Sequence, residues 1–350
     1  MLSSEDKKLG IEVNVGRNIF SWAPRVSVVI PAYNVAEFIG ETLESVAAQR
    51  FRDHEVIVVN DGSPDTAAFE RAIQPHRENI IYIKQPSQGA GAARNTAIRH
   101  ARGEIIAFLD GDDIWLPDFL TSQVTFLGRG HDMVYCDAQQ FGMRSALRRT
   151  FMESAPSEGE VTVASLLDFR CNVITSGTVA LRSAIIDAGM FEQERARAHD
   201  FHLWVRMARN GARIGYQRTV LLKYRVHLNS LSGDSVSRVE REIDVFNRIK
   251  RMVDLDAKDM ELLERRVKGL QADLEVERGK ALLISEDFAG ARRAFAEANR
   301  HRRSLKLLLI TIGLRVAPRL VLDRYRSNRA DEIAMVPGGA VGRPFAGRGQ

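Results

Sequence analysis

The chain has 350 residues, enough for one large α/β domain with an appendage or for two domains. Its formal net charge of +5, from 50 basic and 45 acidic residues, is mild, so the location of the charge matters more than its size. Two cysteines, Cys136 and Cys171, give no disulfide framework; the opening MLSSEDKKLG has no apolar core and predicts no secretory signal; and no apolar run reaches the roughly 18 residues that span a bilayer.

Residues 1–24 are weakly periodic and read as a loose lead-in. VSVVIPAYN, from Val26, then reads as a buried strand closed by a Pro turn. VAEFIGETLESVAAQ follows with helical spacing, Phe38, Leu43 and Val46 lying near one face. HEVIVVNDGS is a second buried strand ending in Asp61-Gly62-Ser63, TAAFERAIQPH a short helix and NIIYIKQ a third strand. The stretch QGAGAARNTAIRHARGEIIAFLDGDD supplies a loop, a helix from about Ala90 to Ala101, and a strand running into Asp110, Asp112 and Asp113. Beyond it, DMVYCDAQQF is a candidate strand and RSALRRTFMESAPSEGE a mobile basic and polar stretch. CNVITSGTVALRSAIIDAGMF reads as strand, turn and helix, AHDFHLWVRMARNG as a helix stopped by Gly211, and RIGYQRTVLLKYRVH as strand. Helix dominates from about Ser235 to Arg303, and the Gly-rich residues 331–350 are expected to be disordered.

Strands alternating with helices predict an α/β fold with a mostly parallel sheet, whose ligands bind beyond the carboxyl ends of the strands. Polar residues collect there: Tyr33, Asn34, Asp61, Gln85 and Asp110 to Asp113. Gly89 and Gly91 match the start of G-x-G-x-x-G, with Asp110 about twenty residues on, as in dinucleotide-binding enzymes. The sixth position is Arg94 rather than a small residue, and three acids stand where a ribose needs one. Carboxylates clustered at a strand end suit a hard divalent cation, Mg²⁺ or Mn²⁺, that keeps sites free for phosphates. The plainer reading is a solvated acidic loop. Asp61 and Asn34 have the plainer reading of turn residues, and Arg94 that of a surface ion pair. Asp200, at the start of its helix, is either an N-terminal cap or a general base. His227 is either a phosphate or metal ligand or a structural hydrogen-bonding residue.

Taken together, VSVVIPAYN, VIVVNDGSPDTA, QGAGAARNTAIRHARGEIIAFLDGDD, AHDFHLWVRMA and YRVHLNSLS resemble the family 2 glycosyltransferases, in the family's order over roughly residues 25–232. The resemblance implies the GT-A fold and transfer of a sugar from a nucleotide-diphosphate donor, most commonly a UDP-sugar, with Mn²⁺ or Mg²⁺. It assigns donor binding to Pro31, Tyr33, Asn34, Asp61, Gly89, Arg94, Asn95, Asp110 and Gly111. Asp112 would take the metal with Asp113 in support, His227 is a further candidate ligand, and Asp200 would be the base of an inverting displacement. Two departures stand out. His199 occupies the position before the base where the family usually has Glu. The Q-x-x-R-W element of chain-extending members is absent, which implies one sugar added per binding event. A silent sugar-nucleotide-binding protein would be marked by loss of Asp112 or Asp200, and both are present. A nucleotidyltransferase should carry a basic, Gly-rich loop after the first strand, which PAYNVAEF is not.

The expected organisation is the lead-in over 1–24, a catalytic domain over 25–235, a helical extension over 236–330 and the tail. KALLISEDFAGARRAFAEANRH predicts a helical hairpin turning near Ser285 to Asp287. Between Arg302 and Arg329 the only acid is Asp323. That basic, apolar-centred segment, broken at Pro318, is either a helix packed on the catalytic domain or one docked on an anionic membrane surface. Its sparse aromatics argue against nucleic acid. The expected acceptor is a glycan or lipid-linked precursor of a surface polysaccharide, and the expected location the cytoplasm, peripherally at the inner membrane.

Overall fold

The computed structural model describes residues 10–18, 23–142, 149–192, 199–226 and 235–335. Two compact units result, one mainly from residues 10–141 and 149–225, the other from the helices after residue 235.

In the first unit the apolar runs pair as expected. The strands are β1 (Glu12–Val15), β2 (Val26–Ala32), β3 (His54–Asp61), β4 (Ile81–Gln85), β5 (Ile105–Phe108), β6 (Ile114–Trp115), β7 (Met133–Gly142), β8 (Thr178–Leu181) and β9 (Ile214–Val226). Among the described residues they form one sheet, in the order β1-β4-β3-β2-β5-β8-β7-β9-β6. Its centre, β4-β3-β2-β5, is parallel. All seven residues of β2 are buried, the pattern of a strand covered on both faces. Helices α1 (Ile39–Ala47), α2 (Thr66–Ile73), α3 (Ala90–His100) and α4 (Phe119–Leu127) belong to this unit, as do the shorter α6 (Val163–Leu167) and α7 (Arg182–Asp187). Leu43, Val46, Phe69 and Phe119 join Val28, Ile30 and Val58 in the core. The order reverses beside β2: β3 and β4 extend the sheet to one side and β5 lies on the other. In sheets of this kind such a switch point is where a ligand crevice is expected, here at the carboxyl ends of β2 and β5.

Three local features carry no strong sequence signal. β1, within the expected lead-in, is almost wholly exposed and is held by antiparallel backbone pairing to β4. The helix α4 has a mixed sequence, FLTSQVTFL, whose apolar face is set by packing. Of the stretch 144–160, expected to be mobile, residues 144–148 lie outside the described residues and the rest is held by hydrogen bonds. A capping box joins Thr150 and Glu153 at the short helix α5 (Phe151–Ser154), and Met152 N donates to Asp137 Oδ1 at 2.8 Å.

The second unit is helical: α9 (Ser235–Met252), α10 (Ala257–Ile284), α11 (Phe288–Arg302), α12 (Leu305–Val316) and α13 (Pro318–Met335). The hairpin turn falls where expected, with Asp287 Oδ1 accepting from Gly290 N at 2.8 Å. Ala291, Phe295 and Ala298 pack with Leu283, Leu307, Leu314 and Leu322. Helix continues to Met335, and residues 336–350 of the expected tail lie outside the described residues. Among the described residues no helix is long and apolar enough to cross a membrane.

Phe295 is 3% exposed at the centre of this packing. Phe295→Ala should cost about 3–5 kcal/mol, read from denaturant unfolding of the helical signal. Glu242 gives a second expectation. Burial pushes its carboxyl from 4.5 up to about 7, against the opposing pull of Arg238. The folded state therefore holds a proton that the unfolded chain has released. The stability tied to this group is complete below about pH 4.5 and is lost as pH rises to about 7. The loss should amount to about 3 kcal/mol at most. Melting temperature should fall over that window, and Glu242→Gln should flatten the slope.

Candidate active site

The crevice is built from strand ends that are tied to one another. Asn34, just past β2, adopts the left-handed backbone (φ 56°) that Asn tolerates, and its N–H donates to Ser63 Oγ at 2.6 Å. The turns after β2 and β3 are thereby joined. Ala36 N adds a bond to Asp65 Oδ2 at 2.8 Å. Pro31 is buried in β2, while the Tyr33 ring is 55% exposed.

Asp61 ends β3 opposite Gln85 at the end of β4. It is buried, and its carboxyl accepts from Gln85 Nε2 (2.7 Å), Gln88 N (2.9 Å), Gly89 N (2.7 Å) and, at 3.5 Å, Ser87 Oγ. One acid thus fixes the whole loop that leads into α3. Gly89, at φ 97°, precedes the first turn of that helix in a backbone conformation open to glycine.

Helix α3 is buried from Gly91 to Ile98. Asn95 Nδ2 donates to Phe191 O at 2.7 Å and its Oδ1 accepts from Phe191 N at 2.9 Å, fastening that segment to the helix. Arg94 is ion-paired with Asp110, and its guanidinium lies 5.5 Å from the centre of the Phe191 ring. The plainer reading of Arg94 as a surface pair does not hold, since its side chain is only 5% exposed. Phe108, Phe191 and Trp204 form a mutual edge-to-face cluster with centroids 5.4–6.1 Å apart. This locks α8 (His199–Arg209) against the end of β5.

The acidic loop after β5 is held from several directions. Thr42 Oγ1 donates towards Gly111 O (3.1 Å) and Asp113 O (2.9 Å). A Cβ on Gly111 would stand 3.0 Å from Val35 Cγ2, so a larger residue would crowd the turn. Arg225 Nε donates to Asp112 O at 2.8 Å, and Arg225 N to Asp113 Oδ1 at 2.8 Å. The Arg225 guanidinium lies 4.6 Å from the Phe38 ring centre and 4.4 Å from that of Phe141, and it pairs with Glu41 at 2.6 Å. Asp113 is buried. Burial, then the charges of Asp112 and Asp110, push its carboxyl well above the usual range, while the Ser176 hydroxyl and the Arg225 N–H act against this. Asp112 is only half-buried.

Asp200 sits in the first turn of α8. Its Oδ2 accepts from Thr175 Oγ1 at 2.8 Å and its Oδ1 from Phe201 N at 2.9 Å. Thr175 belongs to the 3₁₀ turn Thr175–Gly177 that enters β8. The next residue on that turn, Ser176, accepts from Asp110 N (Oγ, 3.1 Å) and from Trp115 Nε1 (backbone O, 2.7 Å). One turn therefore touches both Asp110 and Asp200. Sequence reasoning saw only a turn there; the adjacent hydroxyls directly before a buried strand were the available signal. Nothing in the sequence marks Arg225, at the end of β9, as the brace of the acidic loop. His227 and the side chain of His199 lie outside the described residues.

Among the described residues no group of three or more His, Cys, Asp or Glu side chains could hold a metal by itself. The donor set still fits a hard cation, since Mg²⁺-type sites use one or two carboxylates and complete themselves with substrate phosphates. Asp112, half-buried beside Asp110 on a braced loop, offers such oxygens.

The sequence and the fold are both similar to those of known proteins. The family model described as Glycosyl transferase family 2 matches residues 27–185. The chain is 29% identical over 228 residues to UDP-Glc:alpha-D-GlcNAc-diphosphoundecaprenol beta-1,3-glucosyltransferase WfaP of Escherichia coli, covering 64% of this chain and 86% of that protein. It is 27% identical over 235 residues to an uncharacterized glycosyltransferase of Rickettsia prowazekii, covering 66% of this chain and 72% of that one. Some relatives are longer: the chain spans 40% of an uncharacterized glycosyltransferase of Rickettsia felis. Among solved structures, the mannosyltransferase PcManGT of Pyrobaculum calidifontis, in complex with GDP-Man and Mn2+, aligns with a TM-score of 0.56 and 24% identity, over 90% of this chain and 86% of that chain. Residues 1–349 of S. aureus TarS, in complex with UDP-GlcNAc, align with a TM-score of 0.55 and 19% identity, over 87% of this chain and 92% of that chain. The fold is GT-A, the chain is a transferase, and its residues 27–185 match the family 2 glycosyltransferases.

Proposed function

We propose that the protein is an inverting, metal-dependent glycosyltransferase that moves one sugar from a nucleotide-diphosphate donor, a UDP-sugar, to a glycan or lipid-linked acceptor of cell-surface polysaccharide synthesis. It would work in the cytoplasm, where such an acceptor is presented at the inner membrane. The observation that carries this reading is the Thr175–Gly177 turn, which binds the donor-side Asp110 and the candidate base Asp200 through neighbouring residues.

The nucleoside would lie in the crevice beyond β2 and β3, against the exposed Tyr33 ring and the loop that Asp61 holds. Asn34, Pro31 and Gly89 shape the backbone there, Asn95 anchors Phe191 behind it, and Arg94 keeps Asp110 in place. In transfer, Asp200 takes the proton of the acceptor hydroxyl. The oxygen of that hydroxyl bonds to the anomeric carbon as the bond from that carbon to the β-phosphate oxygen breaks. The nucleoside diphosphate leaves with the electron pair, and attack from the opposite face inverts the anomeric centre. Asp112, with Asp110 beside it, would hold the divalent ion, Mn²⁺ or Mg²⁺, which when bound supplies Lewis acidity to the departing diphosphate. Gly111 lets the loop turn tightly against Val35.

A donor-turnover assay tests the reading. Purified protein, a panel of sugar nucleotides and Mn²⁺ or Mg²⁺ should release nucleoside diphosphate from one donor. Asp112→Asn should abolish the metal-dependent turnover. Asp200→Asn should lower kcat about 10²–10⁴-fold while donor affinity, read by calorimetry, stays near wild type. An Asp200→Asn protein of undiminished activity would remove the base assignment. Thr175 touches only the candidate base in this scheme, so Thr175→Val should lower kcat about tenfold, one hydrogen bond's worth, with little change in donor KM. Thr175→Ser should restore most of it.

A further inference from the structure

The apolar residues of α12 divide into two faces. Leu307 and Leu314 are 7% and 4% exposed and pack in the helical core. Leu305, Leu308, Leu309, Ile312 and Val316 are 73%, 44%, 61%, 50% and 78% exposed. Their spacing of three, four, seven and eleven residues from Leu305 puts all five on one side of the helix. Exposed apolar residues are ordinary when scattered, but a contiguous stripe along a whole helix is not. Leu320, 69% exposed just past the break at Pro318, adds to the apolar surface that follows.

The charges are arranged around this stripe. At about 100° per residue, Lys306 falls on one flank and Arg315 on the other, each near a right angle to the apolar centre. Both are exposed, as are Arg302 and Arg303 just before the helix and Arg319 just after it. From Arg302 to Arg329 eight basic residues stand against the single acid Asp323. Twelve residues make a helix about 18 Å long, well short of a bilayer core of about 30 Å. Such a helix lies in the plane of an interface, with its apolar stripe in the acyl boundary and its basic flanks at the headgroups.

The geometry points to α12 as a docking surface for an anionic lipid bilayer, with Leu305, Leu308, Leu309, Ile312 and Val316 inserted and Lys306 and Arg315 on the lipid phosphates. Charge selects this occupant. A second copy would bring an equally basic surface against this one, and like charges oppose that contact. A neutral membrane would bury the stripe but leave the basic flanks unmatched. The surface is independent of the transfer reaction, although it suits an acceptor presented on a membrane.

Vesicle co-sedimentation of the full chain tests this. Phosphatidylcholine vesicles containing phosphatidylglycerol should pellet the protein, and phosphatidylcholine alone should bind it at least tenfold more weakly. Leu309→Ser/Ile312→Ser changes only exposed positions, so circular dichroism should be unchanged while anionic-vesicle binding drops at least tenfold. Lys306→Glu/Arg315→Glu should do the same and reduce the salt dependence. Equal binding to both vesicle types, no binding, or variants that bind like wild type would overturn the inference. So would self-association in sedimentation velocity that Leu309→Ser/Ile312→Ser abolishes, since a second copy would then cover the face. Sugar-nucleotide turnover measured without vesicles separates the two readings: docking can fail with turnover intact, and turnover can fail with docking intact.

Discussion

The antiparallel pairing of β8 on β5 is the constraint from which the site follows. Ile105 faces Leu181, Ile106 faces Ala180 and Ala107 faces Val179. The start of β8 must then lie beside the end of β5. A parallel neighbour would have put the start of its strand at the far edge of the sheet. The turn that enters β8 is consequently delivered to the carboxyl edge, where Ser176 meets Asp110 and Thr175 meets Asp200. The change from parallel to antiparallel pairing at this position adds a second set of polar groups to an edge that already collects the loops of β2, β3 and β4.

Electrostatics explains why so many bonds are spent on one short loop. Asp110, Asp112 and Asp113 would repel if all were charged and poorly solvated. Arg94 offsets the first, and the backbone and guanidinium of Arg225 brace the other two. Asp113, buried and under the field of its neighbours, is shifted towards its neutral form. The charge that remains is concentrated on the more exposed acids, where a cation could be met. The placement of Arg225 between Phe38 and Phe141 follows the same logic. A planar guanidinium can stack on both faces while its edge donates to Asp112 O and Glu41, which a lysine could not do.

Much of this fold was legible because its central strands are nearly uninterrupted runs of valine and isoleucine, and because Gly89, Gly111 and the aspartates punctuate their ends. The acids themselves were visible as a group gathered on one sheet edge. What escaped reading was whatever depends on a partner distant in sequence. The alternation Ile11, Val13, Val15 around β1 is too short to mark a strand until its backbone pairing to β4 is seen. Asp61 looked like a turn residue, and it is one in part, but its acceptors are filled by a loop more than twenty residues away. Thr175 and Ser176 carry no motif; their meaning appears only when β8 is laid beside β5. Lys306 and Arg315 looked like two members of a basic run until the buried Leu307 and Leu314 fixed which way the helix faces.

The manner in which Asp200 is held bears on its chemistry. A base must keep a fixed orientation without losing its affinity for a proton. A hydroxyl and a backbone N–H orient both of its oxygens, and the Thr175 hydroxyl can reorient as the carboxyl gains a proton. Arg94, buried at the same sheet edge, is paired with Asp110. A guanidinium on Asp110 suits a carboxyl that is to remain an anion, and a hydroxyl that can turn on Asp200 suits one proposed to change its protonation during the reaction.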